Sequence, residues 1–587
     1  MATKLKPADV VIVGMGWTGA LMANELAGTG LRIVALERSV ARPPEGFYNP
    51  RSHDELKYSR RFELMQDLSR ESLTFRNNGG QTALPMRQHG SFTIGEGVGG
   101  SGTHWGGVLW RWMPWDHEAR SRIVARYGEK AIPEGMQVQD WGVSYAELEK
   151  YYDRFEYMCA TSGKAGNLNG RRVEGGNPFE GPRSRDYPLP PLTMSNAGEM
   201  FIEGAKKLGL HPFPTPAANA SRPWVNPDGI AFGQCRYCGF CENYGCEAAA
   251  KASPQHTVLP LLEKKSNFEL RTNARVLKVN LSPDGKRAVS VTYVDAQGRE
   301  FEQPGDLIIL ASYVIANVHL MLLSGIGKPY DPRTGQGTVG RNYSYQIRSS
   351  ATVFTPDNKP LNPFMGTGAL QAVIDDYYPE VFDSLAHGFI GGGTIQCASP
   401  GGRPIEFRPV PPGTPPWGTE WKRAMVKSYH HVLGLRNQST GMSYRQNYLD
   451  LDPTYRDAYG RPMLRMTYDF AENEQKLARH FTDICVNIGK AMGAKQVVPA
   501  AVAKNYSIVP YQSTHNCGGA AMGTDPRTSA VNRYLQSWDV PNVFVLGASA
   551  FPQNAGKNPT GPVGATTLWA AEAIRNRYLR SPGLLAG

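Results

Sequence analysis

Residues Asp9–Val13 (DVVIV) form an apolar run with the character of a buried parallel strand, and Gly14-Met15-Gly16-Trp17-Thr18-Gly19 follows without a spacer. Ala20–Ala27 then shows helical periodicity, Leu31–Leu36 (LRIVAL) reads as a second strand, and Glu37 closes it. A lone G-x-G-x-x-G is a weak signal, but here it sits in a complete strand–turn–helix–strand context. Gly14 allows the tight turn, Gly16 lets the backbone approach a pyrophosphate, and Gly19 lets helix and strand pack closely. The phosphates would meet the unpaired N–H groups at the helix start, beside Trp17 and Thr18. Glu37, 23 residues beyond Gly14, suits the ribose hydroxyls and favours FAD or NAD over NADP.

A second glycine-rich element follows. Gly95–Gly107 (GEGVGGSGTHWGG) holds seven glycines in thirteen residues, too many for regular structure. Such a loop brings backbone N–H groups close to a large ligand. Contacts to a bound nucleotide are expected at Gly99, Gly100, Gly102, Thr103 and His104. Trp110, Arg111 and Trp112 come next and could line the rim of that site.

Four of the eight cysteines fall within twelve residues, as Cys235-x2-Cys238-x2-Cys241-x4-Cys246. This clustering argues against a distributed disulfide framework and for a metal centre. The spacing suits an iron–sulfur cluster, and a four-cysteine zinc site is the plainer alternative.

Near the C-terminus stand two linked segments. The first is Ser513-Thr514-His515-Asn516-Cys517-Gly518-Gly519. The second runs from the strand Val543–Gly547 through Ala548 to Asn558-Pro559-Thr560-Gly561, ahead of a helix from about Gly564 to Tyr578. Oxidising an alcohol carbon requires removal of the hydroxyl proton as hydride leaves, and a neutral imidazole is a suitable base. His515 is the catalytic candidate, and Asn558 stands in the second segment. Ala311 (at the end of the apolar strand Asp306–Ser312), Ala548 and Thr560 complete the expected cofactor contacts. Lys557 either faces the site, where it could pair with a substrate carboxylate, or lies solvated at a loop tip.

Taken together, the opening fingerprint, the GGSGTHW loop and the C-terminal segments resemble the glucose–methanol–choline (GMC) oxidoreductases from end to end. The resemblance implies an α/β FAD-binding domain of Rossmann type and an α+β substrate domain built on an antiparallel sheet. It also implies His515 as base with Asn558 sharing the hydroxyl. In pyranose oxidase-like members a histidine within a similar Thr-His-Trp carries covalent FAD, which would make His104 a tether to the flavin 8α-methyl group; otherwise it is a pocket histidine. The cysteines narrow the likeness to large flavoprotein subunits of bacterial membrane-associated dehydrogenases acting on gluconate, fructose, sorbitol or glucose. In the fructose and glucose members the cluster is [3Fe–4S]. That pattern maps to Cys235, Cys241 and Cys246 with Cys238 spare, and four thiols keep [4Fe–4S] open.

The implied activity is FAD-dependent oxidation of a sugar acid, sugar or polyol, with gluconate to 2-ketogluconate first. Fructose, sorbitol, glucose or glucoside 3-dehydrogenation, an oxygen-using oxidase, and a non-catalytic electron-transfer subunit are the rivals. The implied partners are a small subunit bearing an export signal and a membrane-anchored cytochrome c subunit. Since no signal h-region precedes the first strand, the expected location is the periplasmic face of the inner membrane, held through those partners, with the cytoplasm as the alternative.

At 587 residues the chain exceeds a single core, and length suggests roughly two to four domains. The expected division is 1–343 for FAD binding with the cysteine insertion near 230–255, 344–498 for substrate, and 499–587 returning to the FAD domain. Alternating segments such as Ser349–Phe354 and Met463–Tyr468 fit an antiparallel sheet in the middle part. His430 and His431 there read as a surface or core pair, with substrate contact the alternative. The net charge of +11 suits a solvated basic surface or an attraction for acidic substrates or partners, and no basic run is dense enough for nucleic acid. No apolar run approaches the roughly 20 residues of a membrane helix.

Overall fold

The computed structural model describes residues 2–42, 64–67, 70, 72–86, 90, 92–363, 365, 371–398, 409–510 and 513–585. The apolar run at the start becomes the strand Ala8–Val13, buried at all but one position because neighbours flank it on both sides. It pairs in parallel with Ile33–Leu36 on one edge and with the second half of Glu300–Leu310 on the other. Phe268–Arg271 and Val543–Val545 extend the layer in parallel at its two ends. The first half of Glu300–Leu310 instead joins an antiparallel meander with Ala288–Val294 and Arg275–Leu281. One long strand thus stitches the nucleotide-binding layer to its lateral sheet.

The helix Trp17–Ala27 has ten of its eleven residues buried, so it is packed on all sides rather than on one face. It lies against the helix Thr560–Ala573, which itself packs on Tyr145–Met158. Its one buried charge, Glu25, is neutralised by Arg154 and Arg575 at 2.5 and 3.1 Å. The C-terminal helix starts at Thr560, ahead of the Gly564 expected, which brings its N-terminus to the cavity described below.

A second sheet of six antiparallel strands runs Gln496–Pro499, Arg348–Phe354, Val432–Ser439, Gly393–Ala398, Ala372–Ile374, Phe213–Pro214. Alternation sends Ala351, Val353, Ile395, Cys397, Leu433 and Leu435 to one face, where they form a separate core with the helix Glu472–Ala491. The edge strand Phe213–Pro214 and the helix Asn196–Lys207, whose Phe201 enters the same core, come from outside 344–498. Within that stretch, Tyr448–Arg456 and Pro462–Thr467 pair elsewhere, with Thr74–Arg76 and Leu84–Pro85. Among the described residues no helix is long and apolar enough to cross a membrane.

Candidate active site

A cavity of about 450 Å³ runs from the opening glycine turn to the inner face of the six-stranded sheet. At its nucleotide end Gly14 has φ +96°, and a Cβ there would meet the Ala311 carbonyl at 2.9 Å. A Cβ on Gly19 would lie 2.0 Å from the Gly14 carbonyl oxygen, so helix and strand meet only through glycine. Gly16 faces open space and caps the helix without a side-chain bond, leaving the first N–H groups for a phosphate. The Glu37 carboxylate accepts from the Met15 N–H at 3.0 Å, and burial raises its pKa. Thr18 and Trp17 line the cavity, and the Thr18 hydroxyl donates to the Ala311 carbonyl at 3.1 Å. Ala548 and Thr560 also line it; Gly19, Gly99 and Thr103 do not, and support it from behind.

The loop 95–107 docks on the first turn through the Gly99 N–H, which donates to the Met15 carbonyl at 2.7 Å. Gly100, Gly102 and His104 face the cavity. The His104 ring is buried and its Nε2 has no hydrogen-bond partner among the described residues. Burial, with the Lys251 charge second, lowers its pKa to about 4, so the ring is neutral. A neutral, unpartnered ring nitrogen in a glycine cradle, with an open helix N-terminus beyond, fits a bound FAD.

Lys251 holds this loop in a way no motif signalled. Its fully buried ammonium donates to the carbonyls of Trp105 (2.7 Å), Cys241 (2.8 Å), Tyr244 (2.8 Å) and Thr103 (3.3 Å). One cation therefore clamps the His104 turn to the cysteine segment.

At the other end of the cavity His515 and Asn558 meet, 43 residues apart in sequence, with Asn558 Nδ2 2.9 Å from His515 Nε2. On the far side of the ring, His515 Nδ1 lies 2.8 Å from Gln346 Oε1. The Gln346 amide nitrogen donates to the Ala555 carbonyl at 2.6 Å, so its oxygen is the atom turned to the histidine. Nδ1 is accordingly the donor, and Nε2 carries the lone pair that faces Asn558 and the cavity. Burial, with the Arg348 charge second, lowers the His515 pKa to about 3 and keeps the ring neutral. Asn558 is held in turn: its Oδ1 accepts from the Trp110 indole at 3.2 Å and its carbonyl from the Trp112 indole at 3.1 Å. Gln346 and the two tryptophans in this role were not evident from the sequence.

Several expectations are corrected here. Trp110 and Trp112 clamp Asn558 from behind rather than lining a rim. Arg111 is buried in ion pairs with Glu149 and Glu156 at 2.7 and 2.8 Å. Lys557 neither faces substrate nor is solvated. It is buried, 2.6 Å from Asp375, and lies over the Trp110 ring at 4.2 Å. His430 and His431, by contrast, stand apart from the cavity as the surface-or-core reading expects, their Nδ1 atoms 3.3 Å from the Leu361 carbonyl and the Thr355 hydroxyl respectively.

The cysteine segment is a tightly wound loop. Three of the eight non-glycine residues with positive φ among the described residues, Tyr237, Asn243 and Ala249, lie in or beside it. Cys235 and Cys241 are buried, Cys246 half-buried and Cys238 exposed. Burial pushes the Cys235 thiol up to about 11, and the Cys246 and Cys238 thiols add to that rise. The donor chemistry suits an iron–sulfur cluster. Yet among the described residues no group of three or more His, Cys, Asp or Glu side chains converges on a metal position, so the thiols do not form a ready-made coordination shell.

A nucleotide cradle that shares one cavity with a neutral imidazole is the arrangement of an FAD-dependent dehydrogenase acting on CH–OH groups. The chain belongs to the GMC oxidoreductase family, whose models match residues 139–347 and 443–567. It is 47% identical to the gluconate 2-dehydrogenase flavoprotein of Pantoea cypripedii, over 100% of this chain and 96% of that one. It is 26% identical to the 2-methyl-1,2-propanediol dehydrogenase of Mycolicibacterium austroafricanum (98% and 97% covered) and 25% identical to the fructose dehydrogenase large subunit of Gluconobacter japonicus (98% and 99%). The fold matches the crystal structure of pyridoxine 4-oxidase from Mesorbium loti, with TM-score 0.60, 16% identity and coverage of 97% and 99%.

Proposed function

We propose that this chain is the flavin-bearing subunit of a sugar-acid dehydrogenase that oxidises gluconate to 2-ketogluconate. The observation that carries the reading is the His515–Asn558 pair at the end of a flavin-sized cavity, in a chain 47% identical to a gluconate 2-dehydrogenase flavoprotein throughout. FAD, when bound, supplies the acceptor for the carbinol hydride. The chain's own residues do the rest. His515 Nε2 takes the hydroxyl proton, its lone pair directed by the Nδ1–H bond to Gln346. In the unliganded site one amide N–H of Asn558 occupies the His515 Nε2 lone pair; the substrate hydroxyl takes that place, and Asn558 donates instead to the substrate oxygen. The buried surroundings keep bulk water from the transfer.

We further propose that His104 tethers the flavin, an assignment supported by its unpartnered Nε2. We assign Cys235, Cys241 and Cys246, with Cys238 spare, to an iron–sulfur cluster, [3Fe–4S] before [4Fe–4S], which when bound is a one-electron carrier. The spacing of the thiols, and their closeness to one another, support this. The names of the relatives, "flavoprotein" and "large subunit", support partner subunits. We propose an export-signal-bearing small subunit and a membrane-anchored cytochrome c, at the periplasmic face of the inner membrane.

A panel of gluconate, glucose, fructose, sorbitol and glucosides with an artificial acceptor tests the activity. The expected result is preference for gluconate, lost by a factor of about 10²–10⁴ in His515→Ala. Full dye reduction by that variant would remove His515 as the base, and preference for fructose or another neutral sugar would move the substrate assignment to that sugar. Peroxide formation during turnover would favour an oxidase. Acid precipitation tests the tether, with flavin expected in the pellet; yellow supernatant rejects it. Iron and labile-sulfide analysis tests the cluster, and fractionation with and without the small subunit tests the location.

A further inference from the structure

The substrate end of the cavity has two walls. One carries His515 and Asn558; the other is the inner face of the six-stranded sheet. The alternation that buries Leu433, Leu435, Ile395 and Cys397 behind this sheet puts Arg348, Gln396, Arg436 and Gln438 on the cavity side. The register sets Arg348 opposite Gln438 and Arg436 opposite Gln396. The two arginines are therefore diagonal neighbours on adjacent strands, with Cβ atoms roughly 7–8 Å apart. Arg348 is half-buried and Arg436 exposed at the mouth.

Among the described residues lining the cavity the acids are Glu37, at the nucleotide end, and Glu242. Glu242 acts on both His104 and His515, and on His515 it ranks below Arg348. Arg348 lines the same cavity as His515 and follows by two residues Gln346, whose Oε1 lies 2.8 Å from the His515 ring, and it is the foremost charge acting on the base. Lys557, the other cation near Asn558 in sequence, is already committed to Asp375 in a dry ion pair.

We propose that Arg348 binds the carboxylate of an α-hydroxy acid substrate, and that Arg436 at the cavity mouth draws the anion in; the inference rests on the sugar-acid reading above. In a 2-hydroxy acid the carboxylate is bonded directly to the reacting carbon. Its cation must therefore lie next to the base that takes the hydroxyl proton, and among the cavity arginines Arg348 meets that condition. A guanidinium matches a carboxylate with two parallel N–H donors, which a neutral sugar cannot return. Placing an anion beside Arg348 also offsets the positive charge that holds down the basicity of His515, so an acid substrate makes the base stronger as it binds. Arg436, exposed where the cavity opens, contributes through encounter rather than through a fixed bond.

Gluconate and gluconamide differ only in the charge of the C1 group, and the full-length flavin-loaded protein should be compared on both. For the wild type, kcat/KM should favour gluconate. In Arg348→Gln that preference should fall roughly 10- to 100-fold, the loss expected for a charge-assisted pair, mainly through KM. Titration of the flavin absorbance with gluconate should show the same weakening, and an unchanged flavin spectrum in the unliganded variant checks integrity. Arg348→Lys, which keeps the charge but not the fork, should fall between the two. In Arg436→Gln, kcat/KM for gluconate should drop less and lose its dependence on salt. A wild-type preference for gluconate that survives both Arg348 substitutions overturns the inference and leaves the sugar-acid reading standing. A wild type that oxidises neutral sugars and no sugar acid overturns both.

Discussion

Gln346 offers the sharpest test of how the base is built. Its Oε1 accepts from His515 Nδ1 at 2.8 Å, while its amide nitrogen is spent on the Ala555 carbonyl at 2.6 Å. Gln346→Met keeps the length of the side chain and removes the acceptor. A buried Nδ1–H without a partner costs about 1–3 kcal/mol. The ring can recover that only by turning away or by moving its proton to Nε2, and either change removes the lone pair from the substrate. If the whole cost appears in the transition state, kcat falls about 5- to 150-fold. KM should move less than about threefold, because Gln346 does not line the cavity. Gln346→Glu makes the opposite test. A carboxylate in that place still orients the ring but stabilises the imidazolium, raising the His515 pKa by roughly 1–2 units. Steady-state kinetics with gluconate and an artificial acceptor, from pH 4 to pH 8, reads both effects. A Met variant with wild-type kcat, or a Glu variant whose acid limb does not move upward, would refute the claim that Gln346 sets the tautomer.

Burial lowers the pKa of His515 and of His117 to about 3, with Arg348 and Arg122 as the respective second causes, from an ordinary value of 6.5. Below pH 6.5 the unfolded chain binds protons that these two folded-state rings refuse, whereas Asp116 and Glu474, raised by burial to about 7, act with the opposite sign down to about pH 4; the net fall in stability is therefore expected between about pH 4 and pH 3, by at most about 1.4 kcal/mol per group per pH unit. Urea melts showing flat or rising stability over that range would contradict it. Breaking the buried pair by Lys557→Met should cost about 3–5 kcal/mol, because Asp375 is left charged and dry, and the double replacement Lys557→Met with Asp375→Leu should recover part of the loss in thermal melts. Lys251→Met frees four carbonyls at once and should lower stability by at least about 2 kcal/mol, with weaker retention of flavin after gel filtration. Retention equal to the wild type would mean that the His104 turn holds without its clamp.

What was legible in the sequence was the part of the site that is local in the chain. Gly14, Gly16 and Gly19 must be close in sequence because one turn has to carry phosphate, strand and helix contacts together, and the glycines of residues 95–107 are likewise legible because each acts through its own backbone. His515 and Asn558 could be picked out because each lies in a short segment of unusual composition. The supports of these residues carry no such mark. Gln346 reaches His515 across 169 residues, Lys557 reaches Asp375 across 182, and Trp110 reaches Asn558 across 448. Each is an ordinary residue whose role depends on which strands lie side by side, and that depends on the packing of two cores rather than on any local pattern. Lys557 shows the consequence most directly. Its position beside Asn558 suggests a substrate contact, but the backbone turn that aims Asn558 at His515 sends the preceding side chain the other way, into the ion pair with Asp375. The cation that acts most on the base comes instead from Arg348, on a strand whose alternation shows two faces but not which of them meets the flavin cavity. Where a charge lies along the chain is therefore weak evidence for what it binds, and its facing across a sheet of known register is strong evidence.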